Sequence, residues 1–412
     1  MSVTLVRRNR ALTIFGLAGV AMLVGGAIYL RPSLTAPTVD RVPASSGVIA
    51  GSLGGVSFGD ADHGAVQVIR LQGGFPETYL TANAGTSWTR LPAPSVAVVS
   101  VQFFGPRRVM ARTWGPSSRG TLQRSEDGGH TWRLLATPPI QSGPLYFLDW
   151  QSGWWLATGT FAPALQAIDT SLWKTTDGGS SWHRLRATGI PSTGVGAVIT
   201  FVDPLHGALL VVSQQGSTSS MLTTSDGGDT WWAVDAPLGP IAGSPQLTNT
   251  LIRHGRRLLR SFVAIPEDVL SPNGVVISSP DTHSGFYATT YVAISDNGGQ
   301  TWTQPRAGAR LFGQFAPETP LLDDRGRLLL LEDRRLWDSD DDGATWAAHV
   351  IQAPADMTPQ RLVAVAPRAL FGIAIQSAAF ETRFPVRVNT LIRSTDGGAH
   401  WSPIPLPAPS LG

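Results

Sequence analysis

Thr175-Thr176-Asp177-Gly178-Gly179-Ser180-Ser181-Trp182 is one copy of an eight-residue pattern, Ser/Thr-x-Asp/Asn-x-Gly-x-x-Trp, that returns along almost the whole of a 412-residue chain. Seven copies begin at Thr81, Ser125, Thr175, Thr224, Ser295, Ser339 and Ser394. They close on Trp88, Trp132, Trp182, Trp231, Trp302, Trp346 and Trp401, so half of the 14 tryptophans occupy one position of one repeat. The residue types are those of a tight hairpin turn. The carboxylate of Asp127, Asp177, Asp226, Asp341 or Asp396, or the amide of Asn83 or Asn297, accepts backbone N–H groups of the turn. The glycine two residues on supplies a positive φ, and the Trp opens the outgoing strand and buries a large apolar face between sheets. These residues read as structural staples with no catalytic role.

In this pattern the chain resembles the Asp-box, or BNR-type, β-propeller proteins, a group that includes sialidases, xyloglucanases, sortilin-type receptors and photosystem II assembly factor-like proteins. The resemblance covers about residues 47–406. It implies the fold and not the function, because a fold of this kind hosts many activities.

Each unit also has a first half. Phe58-Gly59-Asp60-Ala61-Asp62-His63-Gly64-Ala65-Val66 recurs at Phe147–Trp155 and at Phe201–Leu209. It reads as a strand, a polar turn and a second strand, so each unit is a four-stranded blade: strands A and B around the first turn, C and D around the Asp box. Successive Asp-box tryptophans lie 44, 50, 49, 71, 44 and 55 residues apart, near one blade each. The expected fold is all-β: a seven-bladed β-propeller of four-stranded antiparallel blades over residues 47–412, a closed ring that leaves short edges. Strand parity puts the A–B turns and the Asp boxes on one face and the B–C loops on the other. Long B–C stretches at about Gly159–Ser171, Pro266–Phe286 and Gln376–Val388 are candidate binding loops.

The 45 Gly and 31 Pro fit many turns. A formal charge of +2 gives no global field for nucleic acid. With no cysteine, disulfides, thiolate metal sites and a lipidated N-terminal Cys are excluded. Residues 11–30 carry no charge and are long enough to span a bilayer as a helix. Arg7, Arg8 and Arg10 precede them and only Arg31 follows closely, which puts residues 1–10 in the cytoplasm and the propeller on the extracytoplasmic side. The expectation is an uncleaved signal anchor, with cleavage after Ala27 the alternative, followed by a Pro-rich spacer over residues 31–46.

Sialidase chemistry, which the resemblance raises, needs three arginines, a tyrosine nucleophile with its glutamate, and an aspartate acid/base. Arg41-Val42-Pro43 matches the family's Arg-Ile-Pro-like start, but no tyrosine follows Tyr291. No catalytic residue is therefore assigned, and no cofactor. Asp338, Asp340 and Asp342 make a weak calcium-loop candidate, with His349 where an EF-hand places its bidentate Glu. Arg253, Arg256, Arg257 and Arg260 of blade five, with Arg325 and Arg327 of blade six and Arg334 and Arg335 nearby, predict an Asp-box face that is basic at those blades. Blades one, three and four carry Asp60, Asp62, Asp149 and Asp203 at the corresponding turns. The functional expectation is a membrane-anchored, non-enzymatic scaffold or assembly factor for a protein partner. A carbohydrate-binding protein or degenerate glycosidase is the alternative.

Overall fold

The computed structural model describes residues 41–45, 51–70, 76–91, 97–114, 120–138, 143–158, 170–191, 194–213, 219–234, 244–265, 286–313, 320–332, 334–366, 369–377 and 387–407. All of their regular elements are strands, arranged in seven antiparallel sheets. Blade one consists of Gly51–Phe58, Gly64–Arg70, Glu77–Thr81 and Ser87–Arg90 in sequence order. The same A-B-C-D order repeats to blade seven, Met357–Ala366, Ala369–Ser377, Arg387–Ser394 and Ser402–Pro403. The wide spacing between the fourth and fifth Asp boxes holds one blade with long strands, Ser244–His254, Arg257–Ile265, Phe286–Ser295 and Arg306–Gly313.

All seven Asp boxes share one hydrogen-bond plan. The leading Ser/Thr hydroxyl donates to the Asp or Asn Oδ1 at 2.7–3.1 Å. The same hydroxyl accepts the N–H of the glycine four residues on at 2.8–3.1 Å. Oδ1 in turn accepts the N–H of the residue before the Trp at 2.8–3.0 Å. Asn83 and Asn297 keep the plan by reversing one bond: their Nδ2 donates to Ser87 Oγ and Thr301 Oγ1, where Asp177 Oδ2 accepts from Ser181 Oγ. Two consecutive residues, not one, have positive φ, the second being glycine at 81° to 107°, as in a type I′ hairpin turn.

The boxes also join blades. A Cβ on the second glycine would overlap a side chain of the preceding blade: Ile404 at Gly85, Leu80 at Gly129, Val292 at Gly343 and Leu336 at Gly398. The Trp182 indole donates to Ala136 O of blade two at 3.0 Å. Thr188, leaving blade three, pairs with Thr230 in the box of blade four, and Gln352, leaving blade six, pairs with His400 in that of blade seven. The first halves make a second seam of aromatics. Phe201 stacks on Trp154 with centroids 3.6 Å apart, and Phe58 stacks likewise on Phe371. The repeated Gly64, Gly153 and Gly207 face the rings of Phe58, Phe147 and Phe201, where a Cβ would collide.

Blades one and seven close the ring through one core that includes Phe58, Val66, Tyr79, Trp88, Phe371, Leu391, Ile404 and Leu406. The Trp88 indole donates to Pro405 O at 2.8 Å. Here the expected domain boundary is corrected. Arg41–Ser45, read as the end of a spacer, is a fifth strand of blade one: Val42 pairs with Trp88, and Ser45 pairs with Leu406 of the final strand Leu406–Pro407. Backbone N–H and C=O groups left open at the outer edge of strand D draw it in. The Arg41-Val42-Pro43 match therefore lies on the outer rim, four strands from the channel-lining Gly51–Phe58. Residues 11–30 lie outside the described residues, among which no helix is long and apolar enough to cross a membrane.

The seam geometry makes one comparison decisive. Gly85 and Gly397 have similar φ, 85° and 77°, but a Cβ meets Ile404 at the first and open space at the second. Gly397→Ala is expected to cost about 1 kcal/mol for the left-handed backbone alone. Gly85→Ala, against a stiff β-branched neighbour, should add about 1–3 kcal/mol of overpacking. Urea denaturation followed by tryptophan fluorescence measures the difference.

Candidate functional site

The A–B turns and the Asp boxes share one face, because the turns hydrogen-bond to each other within a blade. Ala84 N donates to Asp62 O, Gly128 N to Arg107 O, Gly178 N to Gln151 O and Gly227 N to Leu205 O, all at 2.8–2.9 Å. Asp60, Asp149 and Asp203 cap their turns by accepting two backbone N–H groups each. His63 and His206 reinforce Asp60 and Asp203 through Nδ1 at 2.9 Å. Asp60, Asp149 and Asp203 are thus structural, whereas Asp62 is exposed.

The arginines that the sequence grouped as one basic surface go to different places. Arg257 bridges two Asp boxes, Nε to Asp296 Oδ1 at 2.7 Å and Nη2 to Asp342 Oδ1 at 2.5 Å. Arg327 holds Asp323 at 2.8 Å and Asp338 at 3.4 Å. For both guanidiniums burial works against the charge, but the facing carboxylates outweigh it and raise the pKa. Arg256 is exposed and 3.6 Å from Asp203, and Arg325 is exposed. Arg260 is not on the turn at all. It is 3% exposed within strand B, where burial lowers its pKa. Arg334 and Arg335 sit at the B–C end of blade six, and Arg334 is occupied by the carbonyls of Ala353, Pro354, Ala355 and Met357. Blade six also brings Asp323 and Asp324 to its A–B turn. The expected basic excess at blades five and six is thereby cancelled.

The calcium-loop candidate dissolves for the same reason. Asp338 reaches His349 Nε2 at 2.7 Å, Asp342 is taken by Arg257, and Asp340 lies 3.9 Å from Arg327. Three carboxylates committed to three basic groups do not converge on a cation. Among the described residues no cluster of three His, Cys, Asp or Glu is placed to hold a metal ion. The central parts of the three long B–C loops, residues 159–169, 266–285 and 378–386, lie outside the described residues.

Blade two supplies a basic surface the sequence reading passed over. Its A–B turn exposes Arg107 and Arg108. Arg108 and Arg124 both stand over the Trp150 ring of blade three, 5.6 and 5.1 Å from the centroid, and Arg124 also holds Glu126 at 2.9 Å. The signal was present: Phe103-Phe104-Gly105-Pro106 precedes Arg107 as Phe58-Gly59-Asp60 precedes its own turn. The first strands of blades two to five also line an open cavity of about 570 Å³, with Phe103, Phe104, Tyr146, Val198, Leu251 and Arg253 among its lining residues.

No protein-family model matches the chain, and no curated protein matches it. Solved structures do. YCF48 bound to a D1 peptide is 16% identical, covering 86% of this chain and 99% of that one, with a TM-score of 0.46. A PL25 polysaccharide lyase, an ulvan lyase, is 11% identical over 74% of this chain and 81% of that one, with a TM-score of 0.47. A prolyl endopeptidase is 14% identical over 88% of this chain and 49% of that one, with a TM-score of 0.52. At these identities the likeness concerns the β-propeller fold and not the chemistry.

The box carboxylates have a measurable acid signature. At Asp177 burial opposes ionisation, but bonds from the Ser181 hydroxyl and N–H and from Thr175 hold the pKa at about 2; Asp226 is held at about 2 in the same way. At Asp396 the His400 N–H leads, again giving about 2. A carboxylate in the unfolded chain titrates near 3.9, so this stabilisation is complete above about pH 4 and is lost as the pH falls through about 2. The groups are near the surface, which keeps Asp177→Ala to about 1 kcal/mol at pH 7. In guanidinium titrations the unfolding midpoint should be flat from pH 7 to 5 and fall below pH 4, and Asp177→Ala should lose less than the parent in acid.

Proposed function

We propose that the protein is a non-enzymatic binding scaffold, anchored in a membrane by residues 11–30, whose propeller receives an acidic segment of another protein on the blade-two side of its Asp-box face. The observation that carries this reading is the arginine cluster on Trp150. Arg107 and Arg108 project from a rigid turn, and the aromatic face under Arg108 and Arg124 holds planar guanidiniums in place, which lowers the entropy lost when they grip carboxylates. The carboxylates of that face support a non-enzymatic reading, because Asp60, Asp149, Asp203 and the box aspartates are bound up in turns. Support for the anchor is the uncharged run and its flanking arginines.

A synthetic poly-glutamate peptide serves as the acidic probe, read by biolayer interferometry on the full chain. Arg107→Gln with Arg108→Gln should weaken its binding about tenfold and flatten the salt dependence, with no change in melting temperature. Loss on Arg256→Gln with Arg325→Gln, and not on the blade-two pair, would move the site to blades five and six. For the anchor, the chain should remain in the membrane pellet after alkaline extraction; a soluble form beginning at Ile28 would show cleavage after Ala27.

A further inference from the structure

The central cavity has a chemistry that protein capture on blade two does not use. Its volume of about 570 Å³ falls in the range of small-molecule sites. Among its lining side chains are the apolar Phe103 and Phe104 from blade two, Val198 from blade four and Leu251 from blade five, beside the polar Gln102, Tyr146 and Thr200. Among the described lining residues only Arg253 carries a formal charge; no Asp, Glu, Lys or His is among them. Sequence reading grouped Arg253 with the basic residues of blade five, and the structure places it at the cavity.

Its hydrogen bonds are incompletely filled. Nε donates to Gly255 O at 2.9 Å. Nη1 has only long contacts of 3.4 Å to Tyr146 Oη and to Leu148 O. Among the described residues no carboxylate pairs with Arg253, unlike Arg256, Arg257 and Arg327. The polar neighbours are already spent: the Tyr146 hydroxyl donates to Phe201 O at 2.8 Å, and the Gln102 amide donates to Phe147 O at 3.0 Å. A half-buried guanidinium with donors to spare, beside the apolar side chains of Phe103, Phe104, Val198 and Leu251 and with no counter-charge among the described residues, suits an anion that brings its own apolar body.

We propose that this cavity binds a small organic carboxylate with an aliphatic or aromatic body, its carboxylate on Arg253 and its apolar part against Phe103, Phe104, Val198 and Leu251. The site is separate from the protein-binding surface and goes beyond that function. Isothermal titration calorimetry on the full chain in lipid nanodiscs, with empty nanodiscs as the blank, tests it with 4-phenylbutyrate and its alcohol, 4-phenylbutanol. The acid should bind one to one and at least about tenfold more tightly than the alcohol, the worth of a charged hydrogen bond. Arg253→Gln should abolish that preference at unchanged melting temperature, Arg253→Lys should restore part of it, and Arg107→Gln with Arg108→Gln should leave it intact. The proposal is overturned if acid and alcohol bind alike, if neither binds, if Arg253→Gln binds the acid as the parent does, or if the blade-two pair abolishes acid binding. Poly-glutamate capture is read separately, so either site can fail alone.

Discussion

The ring depends on how closely one backbone can approach the next blade. At the second left-handed position of most Asp boxes there is no room for a Cβ beside the preceding sheet, as Ile404 at Gly85 and Val292 at Gly343 show. The hairpin reaches that close because its polar groups are satisfied internally, by the Ser/Thr hydroxyl and the Asp or Asn oxygen. A buried N–H without a partner would have kept water, and therefore distance, at the seam. One turn thus performs two tasks, reversing the chain within a blade and setting the spacing between blades. The tryptophan after it fills the volume that remains, and where the neighbouring carbonyl lies within reach its indole ties the blades directly, as Trp182 does to Ala136.

That arrangement decides which groups are left to meet a ligand. Hydroxyls and carboxylates at the Asp-box face are mostly consumed in holding turns, and several arginines are consumed in neutralising them. Arg257 spans the boxes of blades five and six, and Lys174, the chain's one lysine, lies over Trp154 and reaches toward Pro204 O between blades three and four. Among the groups left are the guanidiniums over Trp150 on one side and a lone guanidinium at the central cavity. These two places differ in kind, one an exposed charged turn and the other a recess where one guanidinium meets both apolar and polar side chains.

The blades were legible in the sequence because their determinants are local. Eight residues specify an Asp box, and the repeat of Phe58, Asp60 and Gly64 at Phe201, Asp203 and Gly207 fixes where each blade starts. Charge was not legible, because its pairing is set by contacts between blades. Arg257 and Asp342 are 85 residues apart, and no periodicity announces them. Arg260 looked like a fourth turn arginine although it lies inside strand Arg257–Ile265, where burial and not the turn governs it. The N-terminal strand was hidden for a similar reason. Arg41–Ser45 contains a proline and has partners near Trp88 and Leu406, so nothing within its own five residues marks it as part of the propeller.

That same strand imposes an order on biosynthesis. A ribosome releases Arg41–Ser45 before any blade exists and Leu406–Pro407 after all seven, yet the two lie side by side in the finished sheet. Blades can form one after another as they emerge, each on its predecessor, but the first blade waits until the seventh has been made with its outermost pairing incomplete. The edge it shows during that wait is the one a chaperone would meet, and it is retired only when Leu406–Pro407 emerges.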